Sequence, residues 1–395
     1  MMVTQACLGT MTWGSFNANE EEAVAQLDRA IELGVNFLDT AELYPVAFNY
    51  GKTTEVWMGR WLSERISQGK FKREDLYIAS KCNPASVGGN PEGEEVKAHS
   101  FEMDILERSC RMSIDRLQCK YIDLYQLHWP SRDVPLFGCA SFYPGKNPNR
   151  GMPITTELEP GNPGYDAFES QILAIKNLFD KGLIKHWGLS NENAYGITMF
   201  CVAADKLGVP RPVSCQNDFS VLNRTYEQDT YEAAYRFGVV GLSYGNLAGG
   251  VLTGKYISGS KWQKEADADR PTAQWRMRSQ PGFQPRYGMP VAMLATAEYA
   301  KLAEKYGITP TELALAWAIH RDCNTAVIIG TTTVKQVEEC LEAFKLELPQ
   351  ELMDAVDKLS EQFRIPACHM HDKPTCSKAE WLGADAVRAT DSPSA

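Results

Sequence analysis

Residues 34–45 read GVNFLDTAELYP. A glycine that closes one element is followed by a largely apolar run, then by Asp39 and, a few residues on, by Tyr44. The same order recurs downstream. Residues 75–81, DLYIASK, end on Lys81, and residues 121–128, YIDLYQLH, end on His128. Short apolar runs bounded by turn signals read as buried strands. Each of these carries its polar residues at the C-terminal end. Further out lie QACLGT (5–10), IKHWGLS (184–190), VSCQN (213–217), VVGLSY (239–244) and TAVIIG (325–330), which complete eight candidate strands.

Helical patterns follow most of these strands. Residues 20–33 place Val24, Leu27 and Ile31 on one face, with Asn19 as N-cap and Gly34 just past the end. Residues 168–181 align Ile172, Ile175 and Phe179, and Gly182 closes that helix. LALAWAI, within 311–320, reads as a buried helix entered through Thr309-Pro310. Strands alternating with helices imply a parallel sheet, and eight such units imply an α/β fold of the (β/α)8 TIM-barrel type. Functional sites of such barrels lie at the rim where strand C-termini meet the following loops. Asp39, Tyr44, Lys81 and His128 all fall there.

The chain has 395 residues, a formal charge of −10 and 44% hydrophobic content. Length alone suggests two or three domains, but one barrel with insertions reaches this size. The expected organisation is a barrel over residues 1–363 and a tail over 364–395, partly disordered because it lacks a period. The acidic balance argues against nucleic acid and anionic membrane as partners, and no apolar run is long enough to span a bilayer. The 11 cysteines show no CxxC and no regular spacing. Buried free thiols in a reducing compartment are expected, with neither a disulfide frame nor a metal. The opening MMVTQACLGTMTWG lacks a basic region followed by an apolar core, so no signal peptide is expected and a cytoplasmic location is predicted.

Two connections are long. Residues 131–165 are rich in Pro, Gly and aromatics, and residues 254–290 mix Arg, Lys, Trp and Phe. Loops of this length are usually functional or disordered, and both are expected to wall a pocket at the rim. Trp13, Trp129, Phe137 and Trp187 would make such a pocket aromatic, or else serve as packing.

The four rim residues suit proton donation. A phenol is a weak acid at neutral pH, and a neighbouring ammonium favours its ionised form. Lys81 supplies that charge, Asp39 can pair with Lys81, and His128 can orient a carbonyl oxygen. Together they could protonate that oxygen as hydride reaches its carbon. No side chain delivers hydride, so a nicotinamide is required. Singly, each residue has a plainer reading: a packed tyrosine, a structural ion pair, a capping histidine. Ser190, Asn191 and Gln216 end neighbouring strands and suit a carboxamide, and Tyr244 offers a face for stacking. Gly245, Asn246, Leu247 and the glycines after them would let backbone N–H groups approach a pyrophosphate, with Lys255 adding charge. Gly330, Thr331, Thr332 and Thr333 open a helix and form a natural anion site, or simply a cap. No GxGxxG is present, so a Rossmann reading has no support.

Taken together, LGTMTWG, GVNFLDTAELYP, YIASK, YIDLYQLHWP, GLSN, CQNDFSVLNR, SYGNLAGGVLTGKY and IIGTTTVKQVEE resemble the aldo-keto reductase superfamily. The likeness is greatest to its Tas-like bacterial branch, near the potassium-channel β subunits, and spans roughly residues 7–360. It implies a barrel binding extended NADPH and a tetrad of Asp39, Tyr44, Lys81 and His128, with Tyr44 as the acid. It also implies that Tyr244 stacks on the nicotinamide and that Ser190, Asn191 and Gln216 hold its carboxamide. Gly9, Thr10 and Met11 would line the cofactor from the first strand. Gly330, Thr331, Thr332, Gln336 and Glu339 would hold the adenosine and its 2′-phosphate.

The chain departs from the family at several points. Tyr244-Gly245-Asn246-Leu247 stands where many members read Tyr-Ser-Pro-Leu, so a looser turn is expected. Gly330, Thr332 and Gln336 stand where many members carry Lys or Arg, and Cys340 replaces an Asn. The N-terminal hairpin usual in the family is almost absent, so a segment upstream, including a targeting one, would alter the cytoplasmic expectation.

The leading expectation is NADPH-dependent reduction of a small aldehyde or ketone. The alternative is a nicotinamide-sensing regulatory subunit with little turnover. A Schiff-base aldolase using Lys81 is disfavoured, because Asp39 would keep that amine protonated.

Overall fold

A computed structural model describes residues 2–16, 19–45, 53–84, 101–132, 134–139, 141–142, 163–269, 274–280 and 284–368. Most of the expected rim loop 131–165, parts of the loop 254–290 and the tail beyond residue 368 lie outside the described residues.

Eight parallel strands close into a barrel in sequence order: β1 Ala6–Gly9, β2 Phe37–Asp39, β3 Tyr77–Cys82, β4 Ile122–Leu127, β5 Ile184–Ser190, β6 Ser214–Asp218, β7 Val240–Tyr244 and β8 Ala326–Gly330. Closure runs through β1 and β8, with Leu8 opposite Ile329 and Gly9 opposite Gly330. The (β/α)8 expectation is met. Around the barrel lie α1 Glu20–Glu32, α2 Thr53–Ser67, α3 Met103–Arg116, α4 Pro163–Asp180, α5 Ala194–Leu207, α6 Tyr231–Phe237, α7 Lys261–Asp269, α8 Arg276–Ser279, α9 Pro290–Lys305, α10 Pro310–Ile319, α11 Val334–Ala343 and α12 Gln350–Gln362.

Successive strand residues point to opposite faces, and the barrel uses both. Cys7, Phe37, Ala79, Leu124, Leu242, Ala326 and Ile328 form one cluster inside the barrel. Their neighbours Leu8, Leu38, Ile78, Tyr125, Val327 and Ile329 pack outward into the helix layer. Two residues further along the inner face, Phe37 gives way to Asp39, Ala79 to Lys81 and Leu124 to Gln126. The apolar plug therefore ends in a polar layer at the C-terminal rim.

The capping signals operate largely as the sequence predicts. The Asn19 side chain accepts from Glu22 N, and Gly34 follows α1 with φ 91°. Thr309 and Glu312 form a reciprocal capping box at the start of α10. α4 begins at Pro163, five residues before the predicted start, since proline is well placed in a first helical turn.

The long connection after β7 is not a bare loop, because α7 and α8 lie within it. α7 buries none of its residues, so no apolar period marked it in the sequence. Ion pairs hold its two ends: Lys261 to Glu304 at 2.7 Å and Asp269 to Lys335 at 2.6 Å. Among the described residues, no helix is long and apolar enough to cross a membrane. Cys7, Cys82, Cys110 and Cys201 are free, buried thiols.

Candidate active site

The ends of β2, β3 and β4 bring four side chains together. Lys81 Nζ donates to Asp39 Oδ2 at 2.6 Å, to the Thr40 carbonyl at 2.8 Å and to the Tyr44 oxygen at 3.3 Å. Lys81 is wholly buried, and Asp39, Tyr44 and His128 are nearly so. The edge of one ring faces the other between Tyr44 and His128, with centroids 5.8 Å apart. Because Lys81 donates to the Tyr44 oxygen, the phenolic hydrogen is left to point elsewhere. The other oxygen of Asp39 accepts from Gln216 at 2.8 Å and from Gln126 at 3.3 Å.

Burial and charge compete at each group. Burial pulls the Lys81 ammonium down, but the Asp39 carboxylate and the Tyr44 oxygen outweigh it, and Lys81 lies above its ordinary value. It is therefore a permanent cation at neutral pH. Burial pushes the Tyr44 phenol up, Lys81 opposes this, and Asp39 adds to it. The net direction is upward: Lys81 favours the phenolate, as the sequence suggests, but desolvation exceeds it. His128 is held well below its usual value by burial and by Lys81, so its ring is neutral.

Next to this group lies a second set. Ser190 and Gln216 pair across β5 and β6. The Tyr244 hydroxyl donates to Asn191 Oδ1 at 2.6 Å, and Asn191 Nδ2 donates to the His128 carbonyl at 2.8 Å. The ends of β4, β5 and β7 are thus tied together.

Several other singled-out residues face protein. Thr10 donates to the Asp39 carbonyl, Thr331 donates to Gln26 Oε1, and Leu247 packs on the core. Gln336 accepts from both the backbone and the hydroxyl of Thr332. Glu339 lies 3.8 Å from Lys335, and Met11 is half-buried.

The turn after β7, expected to be looser, is hydrogen-bonded through the residue that stands in place of proline. Asn246 is buried and its Nδ2 donates to the Phe219 carbonyl at 3.0 Å and to Ser243 Oγ at 2.8 Å. Gly245 has φ 76°, and a β-carbon there would overlap Asp218 Oδ1 and lie 2.6 Å from the Tyr287 oxygen. Arg286, 2% exposed, donates to Asp218 at 2.9 Å and to the Tyr287 oxygen at 2.9 Å. This part of the loop after β7 is therefore pinned to the ends of β6 and β7.

Sequence reading did not single out Gln126, Asn83, Glu42 or Arg286. Gln126 and Asn83 each lie two residues from a chosen rim residue, His128 and Lys81, so strand alternation was the available signal. Glu42 and Arg286 carried none. Of the aromatics expected around a pocket, Trp129 and Phe137 continue from His128, at centroid distances of 4.8 Å and 6.3 Å along the row. Trp187 instead packs against Phe200 on α5 and donates to the Pro210 carbonyl, because its strand position faces outward. Trp13 is fully buried in the helix-layer core.

The rim between β7 and β8 carries features that suit an anionic group. Positive φ at Gly245, Ala248, Gly249 and Gly250 turns the backbone sharply, and Lys255 Nζ lies 3.3 Å from where a β-carbon on Gly250 would be. A β-carbon on Gly330 would meet nothing within 4 Å, and α11 begins just beyond it. Small residues, a cation and a helix N-terminus suit a phosphate. Among the described residues, no group of three or more His, Cys, Asp or Glu side chains is placed to hold a metal ion.

A family model described as the Aldo/keto reductase family matches residues 6–361. Protein tas of Escherichia coli (strain K12) is 33% identical over 362 residues, which covers 91% of this chain and 95% of the relative. The uncharacterized oxidoreductase YrpG of Bacillus subtilis (strain 168) is 26% identical over 356 residues, covering 89% and 91%. Among solved structures, the glycerol dehydrogenase AKR11B4 from Gluconobacter oxydans superposes with a TM-score of 0.61 at 22% identity, covering 92% of this chain and 93% of that one. The thermostable aldo-keto reductase Tm1743 gives 0.58 at 23% identity, covering 90% and 95%. Both likenesses speak to the fold.

Proposed function

The chain belongs to the aldo/keto reductase family, and from that premise we propose that it reduces an aldehyde or ketone to an alcohol with NADPH, Tyr44 giving the proton. The observation that carries this is the convergence of Lys81 on Tyr44 at 3.3 Å and on Asp39 at 2.6 Å, beside His128.

Bound at the rim, the nicotinamide would supply hydride to the carbonyl carbon. Tyr44 would give its phenolic proton to the carbonyl oxygen. Lys81 would stabilise the phenolate left behind, since its ammonium already donates to that oxygen. Asp39, held by Gln126 and Gln216, fixes the ammonium in place. His128, neutral beside Tyr44, would position the oxygen. Ser190, Asn191, Gln216 and Tyr244 would hold the nicotinamide, with Gly245, Leu247 and Lys255 near the pyrophosphate. Gly9, Thr10, Met11, Gly330, Thr331, Thr332, Gln336 and Glu339 would bound the rest. The side chain of Asn246 would act through the turn it fixes.

The permanently charged Lys81 supports reduction over Schiff-base chemistry, which needs a free amine. The complete set of four rim groups supports catalysis over nicotinamide sensing alone. Fluorescence titration with NADPH and with NADH, followed by a panel of carbonyl compounds, tests the proposal. Tighter NADPH binding with consumption of an aldehyde is expected. Absence of binding, or binding with no turnover on any compound, would contradict it.

A further inference from the structure

Asn83 stands two residues past Lys81 and is 7% exposed. Its Oδ1 lies 2.6 Å from His128 Nδ1. Its backbone N–H donates to Glu42 Oε1 at 2.9 Å, and Ser109 on α3 donates to the other oxygen of Glu42. The main chain of Asn83 is therefore held, while the terminal torsion of an asparagine is broad and roughly two-fold.

An amide oxygen only accepts, so with Oδ1 toward the ring it is Nδ1 that carries the hydrogen. Nε2 of the neutral ring then presents a lone pair. A carbonyl oxygen also only accepts. Nε2 can hold it in the other tautomer alone, and that tautomer needs a donor facing Nδ1. The Nδ2 end of the same amide is such a donor.

We infer that Asn83 is a positioning residue that selects the tautomer of His128. With the amide oxygen toward Nδ1, the ring offers a lone pair to a hydroxyl. With the amide turned over, it offers an N–H to a carbonyl. The ring gives up one proton at Nδ1 and takes one at Nε2, exchanged with water, and stays neutral throughout. Asparagine both donates and accepts in that place, whereas aspartate only accepts and leucine does neither. The inference rests on the reductase reading, which sets a carbonyl beside Nε2. The titratable groups around the ring are Tyr44 from the loop after β2 and Lys81 from β3, which is paired with Asp39, with Glu42 behind Asn83.

The test uses the full chain labelled with [15N]histidine, the His128 signals being identified by their loss in His128→Gln. Ring nitrogen shifts should report the Nδ1–H tautomer in the wild type and in Asn83→Asp. In Asn83→Leu they should move toward Nε2–H. In aldehyde reduction, Asn83→Asp should lower kcat at pH 8 by about 100-fold, the scale of a lost acid–base contact, while NADPH binding is kept. That loss should shrink as pH falls, because the new carboxylate favours an imidazolium with protons on both nitrogens. Asn83→Leu should lose less and show no such recovery. Identical tautomers in the wild type and Asn83→Leu, or a wild-type pH profile in Asn83→Asp, would overturn the inference. A wild type that reduces no carbonyl would overturn the reductase reading instead, and the ring shifts would still decide the role of Asn83.

Discussion

The Lys81 ammonium and the Asp39 carboxylate meet at 2.6 Å with 0% and 3% of their side chains exposed. Each charge is tolerated there because the other compensates it. Removing one partner strands the other in a medium that solvates it poorly, at a cost of about 3–5 kcal/mol. Lys81→Met and Asp39→Asn should therefore each destabilise the protein by that order in urea unfolding. The double variant should recover most of the loss. Strictly additive losses would show that the two charges are not coupled. The Lys81 contribution should persist to high pH: its folded value is raised, so it is complete below the ordinary lysine value and fades only as pH rises through the folded one.

Gly245 and Gly34 separate backbone conformation from crowding. Both have positive φ, but a β-carbon at Gly34 meets nothing within 4 Å, whereas one at Gly245 overlaps Asp218 and crowds Tyr287. Gly34→Ala should lose about 1–2 kcal/mol from the left-handed backbone alone. Gly245→Ala should lose more, because it also displaces the Asp218, Arg286 and Tyr287 side chains. Only Gly245→Ala should weaken nicotinamide binding, measured by fluorescence titration. Equal losses in stability and unchanged binding would contradict the role given to this turn.

His128 sets a pH dependence of known sign. Its folded value lies well below the ordinary histidine value, so below about pH 6.5 the unfolded chain binds a proton that the folded chain refuses. Stability should fall as pH drops from 6.5, and His186, shifted the same way by burial, should add to the slope. His128→Gln should flatten the decline in thermal midpoint between pH 6.5 and 5. An unchanged slope in that variant would mean that the folded protein protonates the ring as readily as the unfolded chain does.

Much of this was legible from residues 34–45 outward. Eight apolar runs between helical patterns specify a barrel, and strand alternation sends Asp39, Lys81 and His128 to the inner face at one rim. What stayed hidden depends on contacts distant in sequence. Arg286 looks like one cation among several in a loop, yet it is buried against Asp218, 68 residues away. Asn246 in place of proline suggests a looser turn, and only its bonds to Phe219 and Ser243 show how it is held. Trp187 reads as either a pocket aromatic or a packing residue, and its outward strand register decides for packing. α7 was invisible because none of its residues is buried.

The central claim is that the Tyr44 hydroxyl delivers the proton, and a single-turnover comparison tests it most directly. Wild type and Tyr44→Phe, each loaded with NADPH, are mixed with an aldehyde that the wild type reduces, and loss of nicotinamide absorbance is followed with alcohol formation. Tyr44→Phe should bind NADPH nearly as well and turn over at least about 100-fold more slowly. Turnover of Tyr44→Phe at the wild-type rate would contradict the account.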